Sequence, residues 1–239
     1  MQNKNERRDL AAVFRWTARL KMNQGIANHF SLAISDDGQK FLMNPVGKMW
    51  SRIKSSDILE LDARVTPDNL GPGVDQTAWG IHGAIHRKIP HARCVMHLHT
   101  KYATALSCLK DPTLPPLDQN CMMYYNRVSY DNSYDGFGID SEGDRLAGLI
   151  GNKSILMMGQ HGILVVAPNV AEAFDKIYYF EQAAMTYITA LQTGKELKIA
   201  SHEIAEKTAQ QSEGFESYSQ YHLDAILEVM DEEEPEYLS

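Results

Sequence analysis

His97 and His99 stand two residues apart in Arg93-Cys94-Val95-Met96-His97-Leu98-His99-Thr100. The apolar, partly β-branched run ahead of them reads as a buried strand that delivers two imidazoles at its carboxyl end. Side chains at i and i+2 of a strand share one face, roughly 6.5 Å apart along the chain, so both rings can converge on one ion. Nine histidines in 239 residues make a chance His-x-His pair common, so the spacing needs a context. The apolar strand is one. His161 is the other, set between small and polar residues in Met157-Met158-Gly159-Gln160-His161-Gly162-Ile163-Leu164, again at a strand end. Three neutral imidazoles with open positions suit a divalent Lewis acid, zinc first and Mn, Fe, Co or Ni as alternatives. His82 and His86, one helical turn apart, also have a metal-binding spacing, but their place on the helix before the strand argues against it.

Composition excludes several other chemistries. A net charge of −8 argues against a nucleic-acid partner, which requires clustered Lys and Arg. Five acids within residues 231–236 carry much of that charge and read as a solvated tail. No apolar run approaches the roughly 20 residues that span a bilayer, and the basic start has no signal-like apolar core behind it, so a cytoplasmic protein is expected. Cys94, Cys108 and Cys121 are odd in number and sit among apolar neighbours, which reads as reduced packing thiols. Phosphate loops of the Gly-x-Gly-x-x-Gly or Gly-Lys-Ser/Thr type are absent, as are His-Glu-x-x-His and Gly-x-Ser-x-Gly.

The elements that must position the histidines follow from periodicity. Residues 9–22 form an amphipathic helix that covers a sheet face, stopped at Asn23-Gln24-Gly25. Residues 26–34 and 41–45 flank Ser35-Asp36-Asp37-Gly38 as a β-hairpin. Residues 58–62 are a helical turn or a strand. After a Pro/Gly loop, Asp75 caps a helix that stops at Pro90 and leads into the central strand. A helix from Thr100 stops at Asp111-Pro112. Residues 115–130 mix polar and apolar groups and read as a lining segment. A short helix capped by Ser141, strands over residues 154–158 and 163–167, a long helix over residues 170–191 and a helical stretch over residues 201–230 broken at Gly214 complete the chain. The order implies one α/β layered domain with a mixed sheet, residues 201–239 being a helical extension with an acidic tail.

Asn28-His29-Phe30-Ser31, Pro45-Val46-Gly47, Trp79-Gly80-Ile81-His82, Val95-Met96-His97-Leu98-His99, Gln160-His161-Gly162 and Glu172-Ala173-Phe174 together resemble the class II aldolase/adducin family, over roughly residues 10–191. The resemblance implies a three-layer α/β/α fold with a mixed, largely antiparallel sheet. It further implies a homotetramer with active sites near subunit contacts, and a divalent metal held by His97, His99 and His161. Asn28 matches the family's substrate-binding asparagine, and Gly47, Gln76 and Thr77 fall at substrate-binding positions. His29, beside Asn28, is an acid/base candidate or a hydrogen-bonded packing histidine. In the sugar-phosphate aldolases a Ser-Ser-Glu run supplies the acid/base; Gln76-Thr77-Ala78 stands there in this chain. Ala78 cannot titrate, and loss of the serines weakens the case for a phosphorylated sugar.

The chain therefore resembles the adducin-like and decarboxylase-like branches, in the second of which Tyr125 falls at a metal-approaching position. Such a site can chelate a small 2-hydroxy or 2-oxo carboxylate or carbonyl compound and stabilise an enolate as a carbon–carbon bond breaks, with Tyr125 or His29 moving protons. The alternative is an adducin-like scaffold with a vestigial metal site. The acidic end, unlike the lysine-rich end of eukaryotic adducins, makes cytoskeletal work the weaker expectation.

Overall fold

The computed structural model describes residues 2–133, 136, 142–215 and 217–239. Seven strands, β1 (His29–Ala33), β2 (Lys40–Met43), β3 (Leu59–Asp62), β4 (Cys94–Leu98), β5 (Val128–Asp131), β6 (Ile155–Met158) and β7 (Gly162–Ala167), form one sheet in the order β3-β2-β1-β4-β7-β6-β5. Every neighbouring pair is antiparallel except β5 and β6. The sheet is thus mixed and largely antiparallel, as expected.

Alternation along the central strands divides the core in two. Cys94, Met96 and Leu98 of β4 face a large cluster with Ile163, Val165 and Ala167 of β7. Val95 faces the other side with Leu156, Leu164 and Val166. Because both faces are covered, β4 reads as an unbroken apolar run and not as an alternating one. Helices α1 (Lys4–Arg19), α3 (Lys101–Ser107), α6 (Val170–Gln192) and α8 (Ser217–Glu233) cover the first face. Helices α2 (Gln76–Lys88) and α5 (Glu142–Ile150) cover the second, which makes three layers. Two shorter helices, α4 (Gln119–Met123) and α7 (His202–Ser212), pack against each other, and α4 also packs on α6. No helix among the described residues is long and apolar enough to cross a membrane.

Helix α1 buries Leu10, Val13 and Phe14, and Phe14 stacks on Phe30 of β1 at 4.8 Å between ring centroids. It starts at Lys4 and ends at Arg19, earlier at both ends than its apolar period suggests; left-handed Asn3 at φ 55° precedes its start and left-handed Lys21 at φ 56° follows its end. The hairpin forms with β1 and β2 in antiparallel register, and residues 59–62 resolve into strand β3. The expected cap Ser141 lies outside the described residues, and α5 begins at Glu142.

Two expectations are corrected and one is refined. Residues 231–236 are largely exposed, as a solvated tail would be, but they are also tied down: Arg15, Arg19 and Arg8 of α1 pair with Glu234, Glu233 and Asp231 at 2.6–2.8 Å, and the following Tyr237 is fully buried. Arg15 is itself buried and needs these acceptors. Residues 115–130 do not line the cavity at the histidines. Instead Tyr124 donates to the Lys176 carbonyl at 3.0 Å, and Arg127 pairs with Glu206 at 2.6 Å and Glu213 at 3.0 Å. Cys108 is exposed at the end of α3, whereas Cys94 and Cys121 are buried.

Candidate metal centre

Antiparallel pairing sets the three histidines together. Leu98 of β4 lies opposite Ile163 of β7, so extending the register brings Gly162 and His161 alongside His99 and Thr100. The approach is close enough to require glycine. A Cβ on Gly162 would sit 2.5 Å from the Leu98 carbonyl oxygen and 3.1 Å from His99 Cδ2. Ring centroids of His97, His99 and His161 are 4.6–4.8 Å apart, and one nitrogen from each lies within 4.8 Å of the others.

Partners that can only accept assign the protons. His97 Nδ1 donates to the Ile163 carbonyl at 3.0 Å, and His99 Nδ1 donates to Gln24 Oε1 at 2.8 Å. Their Nε2 atoms therefore carry lone pairs, and these face each other at 2.8 Å. Two proton-free imine nitrogens at that distance repel unless a cation lies between them, so the donor set fits a metal. Burial, then neighbouring histidines, hold His97 well below the ordinary imidazole range. Burial and His161 hold His99 down to about 4, and burial lowers His161 against the opposing pull of Glu142 and Asp131. All three rings are accordingly neutral, the form in which imidazoles could hold a metal.

The strand end is itself anchored. Thr100 follows His99, and its hydroxyl donates to the buried Glu181 carboxylate of α6, which also accepts from the backbone N–H of Tyr102 at 2.9 Å and of Ala103 at 2.8 Å. One carboxylate thus satisfies the first turn of α3 and fixes the exit of the ligand strand.

A cavity of about 540 Å³ opens over the rings and is lined by Asn28, His29, Asp75, Thr77, Thr104 and Gln160 among others. Asn28 Nδ2 and Thr104 Oγ1 are buried with no partner among the described residues. Asn28 adopts φ 80°, a conformation asparagine tolerates better than most residues. His29 pairs with His97 across β1 and β4, their ring centroids 4.9 Å apart. Burial pulls His29 down to about 4, with Asp75 opposing.

The cavity brings together Asn28, His29, Thr77, His97, His99 and His161; Gly47, Gln76 and Tyr125 are not among its lining residues. The Tyr125 hydroxyl pairs with His202 Nδ1 at 3.1 Å. His82 and His86 stand outside the metal-ligating group. Ala78 is buried with Phe41, Met43 and Leu61. Asp75 caps α2 through the Ala78 N–H at 2.9 Å, as expected, but it also lines the cavity, which its role as a cap had hidden. Gln24 orients His99, a role its place in a helix-stopping segment did not signal.

Residues 8–188 match the family profile described as Class II Aldolase and Adducin N-terminal domain. An adducin-related protein of Schizosaccharomyces pombe is 32% identical over 84% of this chain and 64% of its own length. Rat alpha-adducin is 29% identical over 71% of this chain but only 23% of its own length. Among solved structures, an aldolase II superfamily protein from Pseudomonas syringae superposes with a TM-score of 0.90 at 28% identity, over 100% of this chain and 96% of that one. L-fuculose 1-phosphate aldolase from Glaciozyma antarctica PI12 superposes with a TM-score of 0.84 over 99% and 92% of the two chains, a likeness of fold at 20% identity.

Proposed function

This chain belongs to the class II aldolase and adducin family, and we propose that within it the protein is a divalent-metal-dependent carbon–carbon lyase acting on a small hydroxy or oxo carboxylate or carbonyl compound. The facing lone pairs of His97 and His99, 2.8 Å apart with His161 beside them, carry this reading. Zinc is the proposed ion, held by His97, His99 and His161. When bound there it supplies Lewis-acid polarisation of a substrate carbonyl or carboxylate oxygen.

The remaining steps belong to the protein. Asn28 Nδ2, a buried donor with no partner among the described residues, binds a substrate oxygen, and Thr77 lines the same cavity. His29 is the proposed base, since Ala78 leaves no carboxylate at the position where the sugar-phosphate aldolases have Glu. No Lys or Arg occurs among the described residues that line the cavity, which disfavours a phosphorylated substrate. The cavity volume, about 540 Å³, is in the range for small-molecule sites.

Gly47 and Gln76, the latter at the first position of α2 between the cavity-lining Asp75 and Thr77, are proposed to contact substrate. Tyr125 lies away from its own chain's cavity, so its proton-transfer role requires a second copy, in keeping with a homotetramer whose active sites lie near subunit contacts. Residues 1–239 are proposed as one domain of the family with residues 201–239 as an extension. Free Cys94, Cys108 and Cys121 are consistent with the cytoplasm.

The test is turnover of a panel of 2-hydroxy and 2-oxo acids by zinc-loaded protein, read as released carbonyl product or carbon dioxide. Aldol cleavage gives the first and decarboxylation the second. Chelator-sensitive turnover lost in His97→Ala is expected; turnover that persists after metal removal contradicts the proposal. A scaffold role, favoured by the adducin relatives and by Ala78, is the reading left if metal binds and no member of the panel reacts.

A further inference from the structure

Behind the cavity, four polar side chains form one continuous line of hydrogen bonds. His82 and His86 of α2 both reach Ser31 Oγ of β1, His82 through Nδ1 and His86 through Nε2 at 2.7 Å. At the inner end His86 Nδ1 meets the Ala92 carbonyl at 2.7 Å, and at the cavity end His82 Nε2 meets His29 Nδ1 at 2.6 Å. None of these contacts involves the three metal-ligating histidines.

One acceptor sets the direction of the whole line. A carbonyl only accepts, so His86 carries its proton on Nδ1 and offers a lone pair at Nε2. The Ser31 hydroxyl, having one proton, donates it to His86 and accepts from His82 Nδ1. His82 Nε2 is then an acceptor, and His29 must donate to it from Nδ1. The rings are neutral because burial holds His86 down to about 4 and His82 well below the ordinary range.

We infer that the Ala92 carbonyl, acting through the positioning residues His86, Ser31 and His82, locks His29 in the tautomer that leaves Nε2 proton-free toward the cavity, where it accepts a hydrogen bond from a hydroxyl of the bound molecule. This rests on reading the cavity as a substrate site. It makes the site selective: a hydroxyl donates to Nε2, whereas a ketone or ether oxygen at that point meets a second lone pair.

Two-bond proton–nitrogen correlation spectra of nitrogen-15-labelled, zinc-loaded protein read each ring's tautomer. His29, His82 and His86 are expected as Nδ1–H forms, and His29 found as Nε2–H overturns the inference. In Ser31→Ala the line is cut and His29 should become a tautomeric mixture; an unchanged spectrum refutes the relay. The wild-type spectrum decides the first point even if the variant does not fold. Glycolate should bind wild-type protein about tenfold more tightly than methoxyacetate, and Ser31→Ala should abolish the difference. Equal or undetectable binding of both by the wild type overturns the hydroxyl assignment. Zinc content of the same samples keeps the two readings apart, since failure to hold zinc faults the metal proposal while the tautomers remain measurable in metal-free protein.

Discussion

His29 and His97 are direct cross-strand partners on β1 and β4, with ring centroids 4.9 Å apart. This places the proposed base next to a proposed ligand by backbone register alone. A one-residue slip of β1 would turn His29 and Ser31 to the opposite face, toward the Phe14 and Trp50 that now pack on Phe30, so the hairpin that sets the register also sets the chemistry.

Acid should destabilise the metal-free protein before most carboxylates titrate, the half-buried Asp9, pushed up to about 6, being an exception. His29, His86 and His99 are each held from an ordinary 6.5 down to about 4, mainly by burial. The unfolded chain therefore takes up protons first. Stability is full above pH 6.5 and is lost as pH falls toward 4; His86 alone contributes on the order of 3 kcal/mol. Denaturant midpoints of chelator-treated protein between pH 7.5 and 4.5 should decline continuously, and a flat profile would contradict the buried, neutral assignment.

Glu181→Gln should weaken both the fold and metal binding. The carboxylate accepts from Thr100, Tyr102 and Ala103 at once, and glutamine would turn a donor toward donors. About 3 kcal/mol of stability should go, with a matching drop in thermal midpoint and weaker zinc affinity because Thr100 adjoins His99. Loss of stability with unchanged zinc affinity would show that Glu181 serves α3 only.

The clasp between α1 and the acidic segment should open at low pH. Arg15 and Arg19 hold Glu234 below its ordinary value, outweighing the opposite push of burial, and Arg15 lowers Glu236. Their contribution is present above the ordinary 4.5 and is lost as pH falls through the lowered values. Arg15→Met should cost about 2 kcal/mol by leaving the buried Ile53 carbonyl without its side-chain donor, and, with Glu234 then held by Arg19 alone and Glu236 released, should expose residues 231–239 to protease at neutral pH. Protection equal to wild type would refute the clasp.

Local pattern carried the elements and the three histidines that the fold brings together. His97 and His99 announce themselves by strand periodicity, and His161 by its place before an apolar run. The hairpin at Asp37-Gly38 and the Asp75 cap follow from turn and cap chemistry. What stayed hidden depends on contacts between distant segments. Ser31 reads as an ordinary strand residue until α2, some fifty positions later, lays His82 and His86 against it. Glu234 reads as solvated until Arg15, 219 positions earlier, is found buried beside it. Tyr125 sits in a segment polar enough to line a cavity, yet that polarity is spent on His202, Glu206 and Glu213.

Zinc content after equilibration in a zinc buffer is the most direct measure of the central claim. One ion per chain is expected in the wild type and less than about a tenth of that in His161→Ala, since loss of one imidazole from three leaves too few protein ligands to hold the ion. A wild type that binds no ion, or a His161→Ala variant that binds as much as the wild type, would contradict it.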